Sequence, residues 1–215
     1  MDQMTLVGEM AASIGHEVRN PMTTVRGFLQ LFAEHKNLSK YSEYIPLMIS
    51  ELDRANSIIT EFLSISRTQK TEFTRLNLNL IIERILPLVQ VDAISEEKSI
   101  KLELNTVPDL LLDHKEIRQV ILNLAKNGLE AMNQGGCLTI KTSLVDKEVI
   151  LAIEDEEEGI KPEIMERLGT PFLTTKKKGT GLGLAVSFGI AARHNAKIMA
   201  VTSSHGSTLF VKFKV

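Results

Sequence analysis

The hydrophobic period of this chain changes once, near residue 67, and that change constrains the fold most. Before it, apolar residues recur every three or four positions and predict two long helices, over residues 2–35 and 40–68. Two such helices cannot bury all their apolar surface alone. We therefore expect an antiparallel helical hairpin that completes a four-helix bundle in a homodimer. Residues 71–76, in the polar stretch that follows, are predicted as a linker.

Beyond the linker, helical and alternating patterns follow each other and predict an α/β domain over residues 77–215. Its helices are expected at 77–96, 115–133 and 182–194, and its strands at 99–105, 110–112, 137–144, 148–154, 197–202 and 208–214, with Asp146-Lys147 as a hairpin turn. Hairpin-paired strands with helices between them favour a mixed sheet with helices on one face. The predicted organisation is thus a helical hairpin over residues 1–70, a linker at 71–76 and an α/β domain over residues 77–215.

Composition excludes several classes of protein. The formal charge of −2 argues against nucleic-acid binding through bulk charge. The single cysteine, Cys137, excludes an intramolecular disulfide framework and a cysteine-rich zinc site. No apolar run reaches the roughly 18 residues of a membrane span, and no signal peptide is recognisable, so a cytoplasmic region is expected.

The first predicted helix contains a histidine in an unusual setting. Glu17 follows His16 directly, Asn20 lies one helical turn further on, and Pro21 should kink the helix beside the histidine. A loosened helix would leave the imidazole accessible to a bulky reactant. A lone histidine in a helix is nevertheless more often structural than reactive.

A later helix carries two asparagines one turn apart. Asn123 and Asn127 lie near Lys126 and Glu130. The amides could be structural if they find partners, or they could bind Mg²⁺ through oxygen while a lysine binds a phosphate. The residues alone leave both interpretations open.

Two further stretches would suit a nucleotide. Asp155 ends a strand before a tight turn, where its carboxylate could accept a hydrogen bond from an adenine amine, although a solvated acidic turn is an ordinary alternative. Glycines 179, 181 and 183 lead into a helix after a run of lysines, which suits a mobile lid over phosphates. A Gly-x-Gly-x-Gly pattern alone is weak evidence, since it also suits a simple turn.

Taken in order, these stretches resemble the transmitter region of sensor histidine kinases, and more narrowly the Bacillus-type sporulation kinases. The run His16–Pro21 resembles the phospho-acceptor box of that family, and the closing Gly206–Phe210 resembles its last motif. The four boxes between them match Asn123–Asn127 (N box), Asp155–Gly159 (G1 box), Phe172–Lys176 (F box) and Gly179–Gly183 (G2 box).

The resemblance implies a Bergerat-type α/β sandwich after the dimerisation hairpin, with ATP and Mg²⁺ as cofactors. It implies His16 as phosphoryl acceptor, with Glu17 and Asn20 beside it, and Asn127 and Asn123 as metal ligands. The nucleotide-binding residues that it implies are Asn123, Lys126, Asn127, Asp155, Gly159, Thr175, Lys176, Gly179, Gly181, Leu182, Gly183 and Thr208.

The resemblance also implies partners. They are a second copy of the chain, a response regulator that receives the phosphoryl group on an aspartate, and a candidate protein inhibitor at the hairpin base. No nucleic acid is expected, and the full-length protein is expected to be anchored in the cell membrane.

The sequence departs from the family pattern at Glu157, where the G1 box usually has glycine, and this charge could repel a nucleotide. The alternative function is therefore a dimeric interaction module deficient in nucleotide binding. A second rival is an ATPase of the same fold with another role, but such proteins lack the helical hairpin with its histidine box. Two milder departures are Gly128, where alanine is usual, and Asn195-Ala196 in place of Gly-Gly.

Overall fold

The computed structural model describes residues 22–32, 44–66, 71–156, 159–174, 176, 180–203 and 206–215. The chain divides into two compact units, Met1–Gln69 and Lys70–Val215. The predicted fold class, a helical region followed by an α/β domain built on a sheet, is confirmed.

The first unit is helical wherever it is described. Helix α1 covers residues 22–32 and helix α2 covers Tyr44–Ser66. Arg26 Nε donates to Asp53 Oδ1 at 2.8 Å, which places the two helices side by side at that level. The predicted turn between them and the predicted start of the first helix lie outside the described residues.

The second unit contains a five-stranded mixed sheet in the order β2-β4-β5-β7-β6. Its strands are β2 (Ser99–Leu104), β4 (Cys137–Val145), β5 (Glu148–Glu154), β6 (Lys197–Ser203) and β7 (Gly206–Lys214). Strands β2 and β4 run parallel and the other pairs run antiparallel. Every strand predicted for this sheet is present to within two residues.

Helices α3 (Leu78–Ser95), α4 (His114–Ala131) and α6 (Gly183–Arg193) pack on this sheet, and α4 lies between the other two. Strand β7 alternates buried and half-buried residues, as expected for a sheet with one covered face. The core contains fully buried side chains of α4, among them Ile121 and Leu124, and fully buried sheet residues such as Ile140 and Leu151. This packing fixes the helix that carries the asparagines.

Three local features differ from the sequence prediction or refine it. Thr74–Leu76, inside the predicted linker, forms strand β1, which pairs with β3 (Leu110–Leu112). A short helix, α5 (Pro162–Met165), was not predicted. The turn at Asp146-Lys147 is confirmed, and both residues have the positive φ angles (48° and 66°) that a tight hairpin needs.

The two milder departures also have a structural explanation. Asn195 has a φ of 50°, a left-handed conformation that asparagine tolerates better than most residues. Gly128 faces Leu138, whose Cδ1 atom a Cβ at that position would overlap, and Leu138 is fully buried. Glycine therefore lets helix α4 approach strand β4 closely.

Candidate functional site

Asn123 joins the middle of α4 to the start of α6. Its Nδ2 donates to Gly183 O at 3.0 Å and to Ser187 Oγ at 3.3 Å. A carbonyl oxygen can only accept, so the contact with Gly183 assigns the amide orientation. The nitrogen therefore serves structure, while the oxygen remains the group that could meet a metal or phosphate-bound water. The structural and functional interpretations of this asparagine are compatible.

Asn127, one turn further along α4, lies at a cluster of charges. Lys176 Nζ is 2.7 Å from Glu130 Oε2, 3.4 Å from Asn127 Oδ1 and 3.3 Å from Asn127 O. Lys126 Nζ lies 3.8 Å from Glu130 Oε1. Two of the lysines predicted to meet phosphates thus lie beside the predicted metal ligand. We call Asn127, Glu130 and Lys176 the phosphate end of the site.

The opposite part of the site is held by hydrogen bonds from Asp155 to the backbone of Ser207. Asp155 Oδ1 accepts from Ser207 N–H at 3.0 Å, and Asp155 N–H donates to Ser207 O at 2.9 Å. The Asp155 Cβ would lie 3.7 Å from a Cβ added at Gly128, which places the carboxylate next to α4. We call Asp155, Gly159 and Ser207 the adenine end.

Thr208, the predicted site residue of the last motif, lies in strand β7. It is in register with Glu154 and Val201, one residue beyond Ser207. Neighbouring strand residues point to opposite faces, so Thr208 and Ser207 cannot share one environment. Ser207, which is buried, is the residue of this motif that contacts Asp155.

Gly159 lies against the β6–β7 hairpin with a φ of +85°. A Cβ there would overlap Thr202 Oγ1 and Ser203 O. Thr202 Oγ1 also accepts from Ile160 N–H at 2.7 Å and lies 3.2 Å from Ser207 Oγ. The turn after Asp155 therefore needs glycine for both conformation and space.

A backbone hydrogen bond joins the two ends of the predicted lid. Phe172 N–H donates to Gly181 O at 3.0 Å. Gly181 has a φ of +69°, and a Cβ there would come within 2.5 Å of the Phe172 carbonyl carbon. Leu182 is fully buried where the lid enters α6, and its N–H is 3.3 Å from Thr180 Oγ1. The two ends of the loop, at Phe172 and Gly181, therefore lie together, close to the contact between Gly183 and Asn123.

The amino-terminal end of α4 is anchored by a buried polar cluster. Asp113 caps the helix by accepting from Lys115 N–H and Glu116 N–H, and it also accepts from Glu72 N–H at 2.8 Å. Burial would raise the pKa of the Asp113 carboxyl, but these backbone donors outweigh it and hold that pKa below its ordinary value.

His194 completes this anchor from the end of α6. Its Nε2 accepts from Asp113 N–H at 3.0 Å, and its Nδ1 lies 2.9 Å from Ile190 O. Because that carbonyl can only accept, Nδ1 donates to it, and Nε2 offers the lone pair that accepts from Asp113 N–H. Phe73 packs edge-on against the ring at 5.1 Å. Sequence reasoning missed this residue, because a histidine near a helix end carries no local signal of burial.

The donor set suits Mg²⁺ better than a transition metal. The described residues contain no group of three or more His, Cys, Asp and Glu side chains able to hold a metal. Asn127 and Glu130 instead offer hard oxygen atoms, and Mg²⁺ is commonly bound by one or two protein oxygens together with substrate phosphates. These residues fit such a metal.

Several predicted site residues lie outside the described residues. They are His16, Glu17, Asn20, Thr175 and Gly179, and the unusual Glu157 lies outside as well. Within the described parts of the chain, no helix combines the length and apolar character needed to cross a membrane.

Comparison with known families decides the identity. Residues 6–71 match the family described as His Kinase A (phospho-acceptor) domain. Residues 112–215 match the family described as Histidine kinase-, DNA gyrase B-, and HSP90-like ATPase. The chain belongs to the histidine kinases. The first match includes the histidine box, and the second contains both ends of the nucleotide site.

Two curated relatives from Bacillus subtilis (strain 168) support the narrower resemblance. Sporulation kinase B is 37% identical over 98% of this chain and 50% of its own length. Sporulation kinase E is 35% identical over 97% of this chain and 28% of its own length. The chain thus spans half or less of these relatives.

A solved histidine kinase extends the likeness to three dimensions. The structure of histidine kinase ThkA in complex with the response regulator protein TrrA matches 99% of this chain and 63% of that chain, with a TM-score of 0.71 and 27% identity. The ATPase family match further indicates that the second unit binds ATP.

Proposed function

We propose that this chain is the kinase part of a two-component system or phosphorelay, in which His16 takes the γ-phosphoryl group of Mg·ATP and passes it to an aspartate of a response regulator. The observation that carries the proposal is the meeting of separate sequence boxes around α4. Asn123 is hydrogen-bonded to Gly183, Asn127 contacts Lys176, and Gly128 borders Asp155. The likeness to sporulation kinases favours sporulation initiation as the process.

In this proposal the two ends of the site divide the nucleotide. Asp155 takes the adenine amine, held in orientation by Ser207 N–H. Asn127 and Asn123 would hold Mg²⁺, whose charge would neutralise the phosphates during transfer. The proposed phosphate and lid contacts are Lys126, Thr175, Lys176, Gly179, Gly181, Leu182 and Gly183, and Thr208 keeps its place as a predicted contact.

The acceptor chemistry follows from the imidazole. Attack on the γ-phosphorus requires a ring nitrogen with a lone pair, so the ring must be neutral, and an unperturbed imidazole, with a pKa near 6.5, is mostly neutral at pH 7. The new N–P bond forms as the bond to the β-phosphate oxygen breaks. Glu17 can hydrogen-bond the other ring nitrogen or take its proton.

Partners and domain limits are part of the same proposal. We infer a phosphotransfer hairpin over residues 1–70, a linker at 71–76 and a catalytic domain over 77–215. Exposed apolar side chains on the first unit, including Phe28 and Leu47, suit a homodimer. The ThkA complex supports a response regulator as partner. A protein inhibitor at the hairpin base and a membrane anchor in the full-length protein remain proposals from the family resemblance.

The deciding experiment is incubation with γ-labelled ATP and Mg²⁺, comparing wild type with His16→Gln. Acid-labile, base-stable label on wild type alone is expected. Label on both proteins would exclude His16 as the acceptor. If neither protein is labelled, Glu157→Gly tests the G1 box. Labelling of this variant would assign the defect to Glu157, and absence of label would reject kinase activity.

A role for Asn20 is tested separately. We propose that its amide orients a water molecule for dephosphorylation of the response regulator. Asn20→Ala should slow that dephosphorylation while leaving label on His16. An unchanged dephosphorylation rate would exclude this role.

A further inference from the structure

The phosphate end already holds a cation. The Lys176 ammonium contacts three oxygens of α4, namely Glu130 Oε2, Asn127 Oδ1 and Asn127 O, at 2.7, 3.4 and 3.3 Å. The Lys176 and Glu130 side chains are 31% and 32% exposed, so water reaches the pair. The oxygens therefore form a small cation-binding surface filled by a side chain.

The same oxygens are those that suit Mg²⁺. Amide, carbonyl and carboxylate oxygens are the ligands it prefers, and a carboxylate adds the negative charge that the two asparagines lack. An ammonium and a metal ion cannot share three oxygens. An exposed ion pair is also weak enough to be displaced.

We propose that Glu130 is a ligand of the Mg²⁺ site, and that Lys176 competes with the metal for the oxygens of Asn127 and Glu130. Lys176 leaves these oxygens when the metal arrives and becomes available to the phosphates. The inference rests on the proposed function and adds to it a residue outside the predicted ligand set, together with an exchange of cations.

An ordinary salt bridge would behave differently. Lys176→Met and Glu130→Gln break the same ion pair, so a purely structural role predicts effects in the same direction. Competition predicts opposite effects on metal affinity, because the first variant removes the competitor and the second removes a ligand. This opposition separates the two explanations.

The test uses the nucleotide-free chain and Mn²⁺ as a paramagnetic substitute for Mg²⁺. Selective NMR broadening of the Asn127 and Glu130 amide signals reports metal bound at this place. We expect Lys176→Met to lower the half-saturating Mn²⁺ concentration about two- to fivefold, in keeping with an exposed ion pair. Glu130→Gln should raise it or abolish selective broadening.

Two controls complete the design. Lys176→Arg keeps a competing cation and should stay near wild type, and Lys197→Met removes an exposed lysine of β6 and should change nothing. Shifts of Lys176→Met and Glu130→Gln in the same direction, or no selective broadening in any protein, would overturn the proposal. The labelling of His16 is scored separately, so an active kinase without opposite shifts rejects only this inference, and opposite shifts in an inactive protein reject only the kinase proposal.

Discussion

The two ends of the nucleotide site are built from different interactions. At the adenine end, the carboxylate of Asp155 accepts from Ser207 N–H and the Asp155 N–H donates to Ser207 O, so both bonds are made to the backbone of Ser207 at the junction of β5 and β7. At the phosphate end, Lys176 and Glu130 meet through long side chains that are each about one third exposed. One helix, α4, borders both ends.

This difference indicates how each end can respond to a ligand. Backbone hydrogen bonds at strand ends form as the domain folds, so the adenine end is set before any nucleotide arrives. Exposed charged side chains lose conformational entropy when they pair and are screened by salt, so their pairing is easily exchanged. We therefore expect a rigid base-recognition end and an adjustable phosphate end.

The largest effect should come from crowding the adenine end. Gly159→Ala places a Cβ against Thr202 Oγ1 and Ser203 O in a left-handed conformation, and we expect a loss of about 3 kcal/mol in the free energy of unfolding. Gly135→Ala is the matched control, since Gly135 also has a φ of +85° but a Cβ added there would meet no atom within 4 Å. That variant should lose only about 1 kcal/mol in urea unfolding. Equal losses would mean that the hairpin yields and that this end is not rigid.

Changing the carboxylate should affect the ligand more than the fold. Asp155→Asn keeps an oxygen for Ser207 N–H but replaces the other with an NH₂ donor, which cannot accept from an adenine amine. We expect ATP affinity to fall about 30-fold, or about 2 kcal/mol, measured by calorimetric titration.

The control for this variant is the preceding acid. Glu154 pairs with Lys141 at 2.7 Å, away from the site, so Glu154→Gln should bind ATP as wild type does. If Asp155→Asn also binds normally, the adenine contact is assigned to the wrong residue.

The sequence predicted most of the elements because their signals are local. The alternation in β7 and the amphipathic period of α4 follow directly from which face is buried, and both elements were located correctly. The strand at residues 74–76 was not predicted, because a three-residue strand is too short to show a period and only its pairing with β3 defines it.

The site was less predictable where contacts join distant positions. Glu130 lies beside the asparagines in the sequence. Its contact with Lys176, however, joins residues 46 positions apart, and only the folded structure brings them together. In the last motif, only the register of β7 decides that the backbone of Ser207, and not that of Thr208, meets Asp155. Chemistry indicated the residue types, and topology was needed to select the positions.

The helix shared by both ends can be weakened without altering either one. Asp113→Ala removes the amino-terminal cap of α4, and we expect a loss of about 1 kcal/mol at pH 7 in urea unfolding. The pKa of Asp113 is lowered by folding, so its ionised form contributes stability above about pH 4, and that contribution is lost as the pH falls through the lowered pKa. The difference between wild type and variant should therefore shrink below pH 4. Asp113→Asn, which can still cap, should lose less, and a constant difference at all pH values would exclude the ionised cap.

The smallest effect should come from the phosphate end. Glu130→Gln removes the charge that holds Lys176, and because both side chains are partly exposed we expect the free energy of unfolding to fall by about 0.5 kcal/mol at low salt. In 1 M salt the loss should vanish, since the screening length is then about 3 Å.

Glu116→Gln provides the contrast, because Glu116 is only 14% exposed and accepts a bidentate contact from Arg193, so its loss should be larger and should persist in salt. A large, salt-resistant loss in Glu130→Gln would make the phosphate end as fixed as the adenine end and would remove the physical basis for cation exchange there.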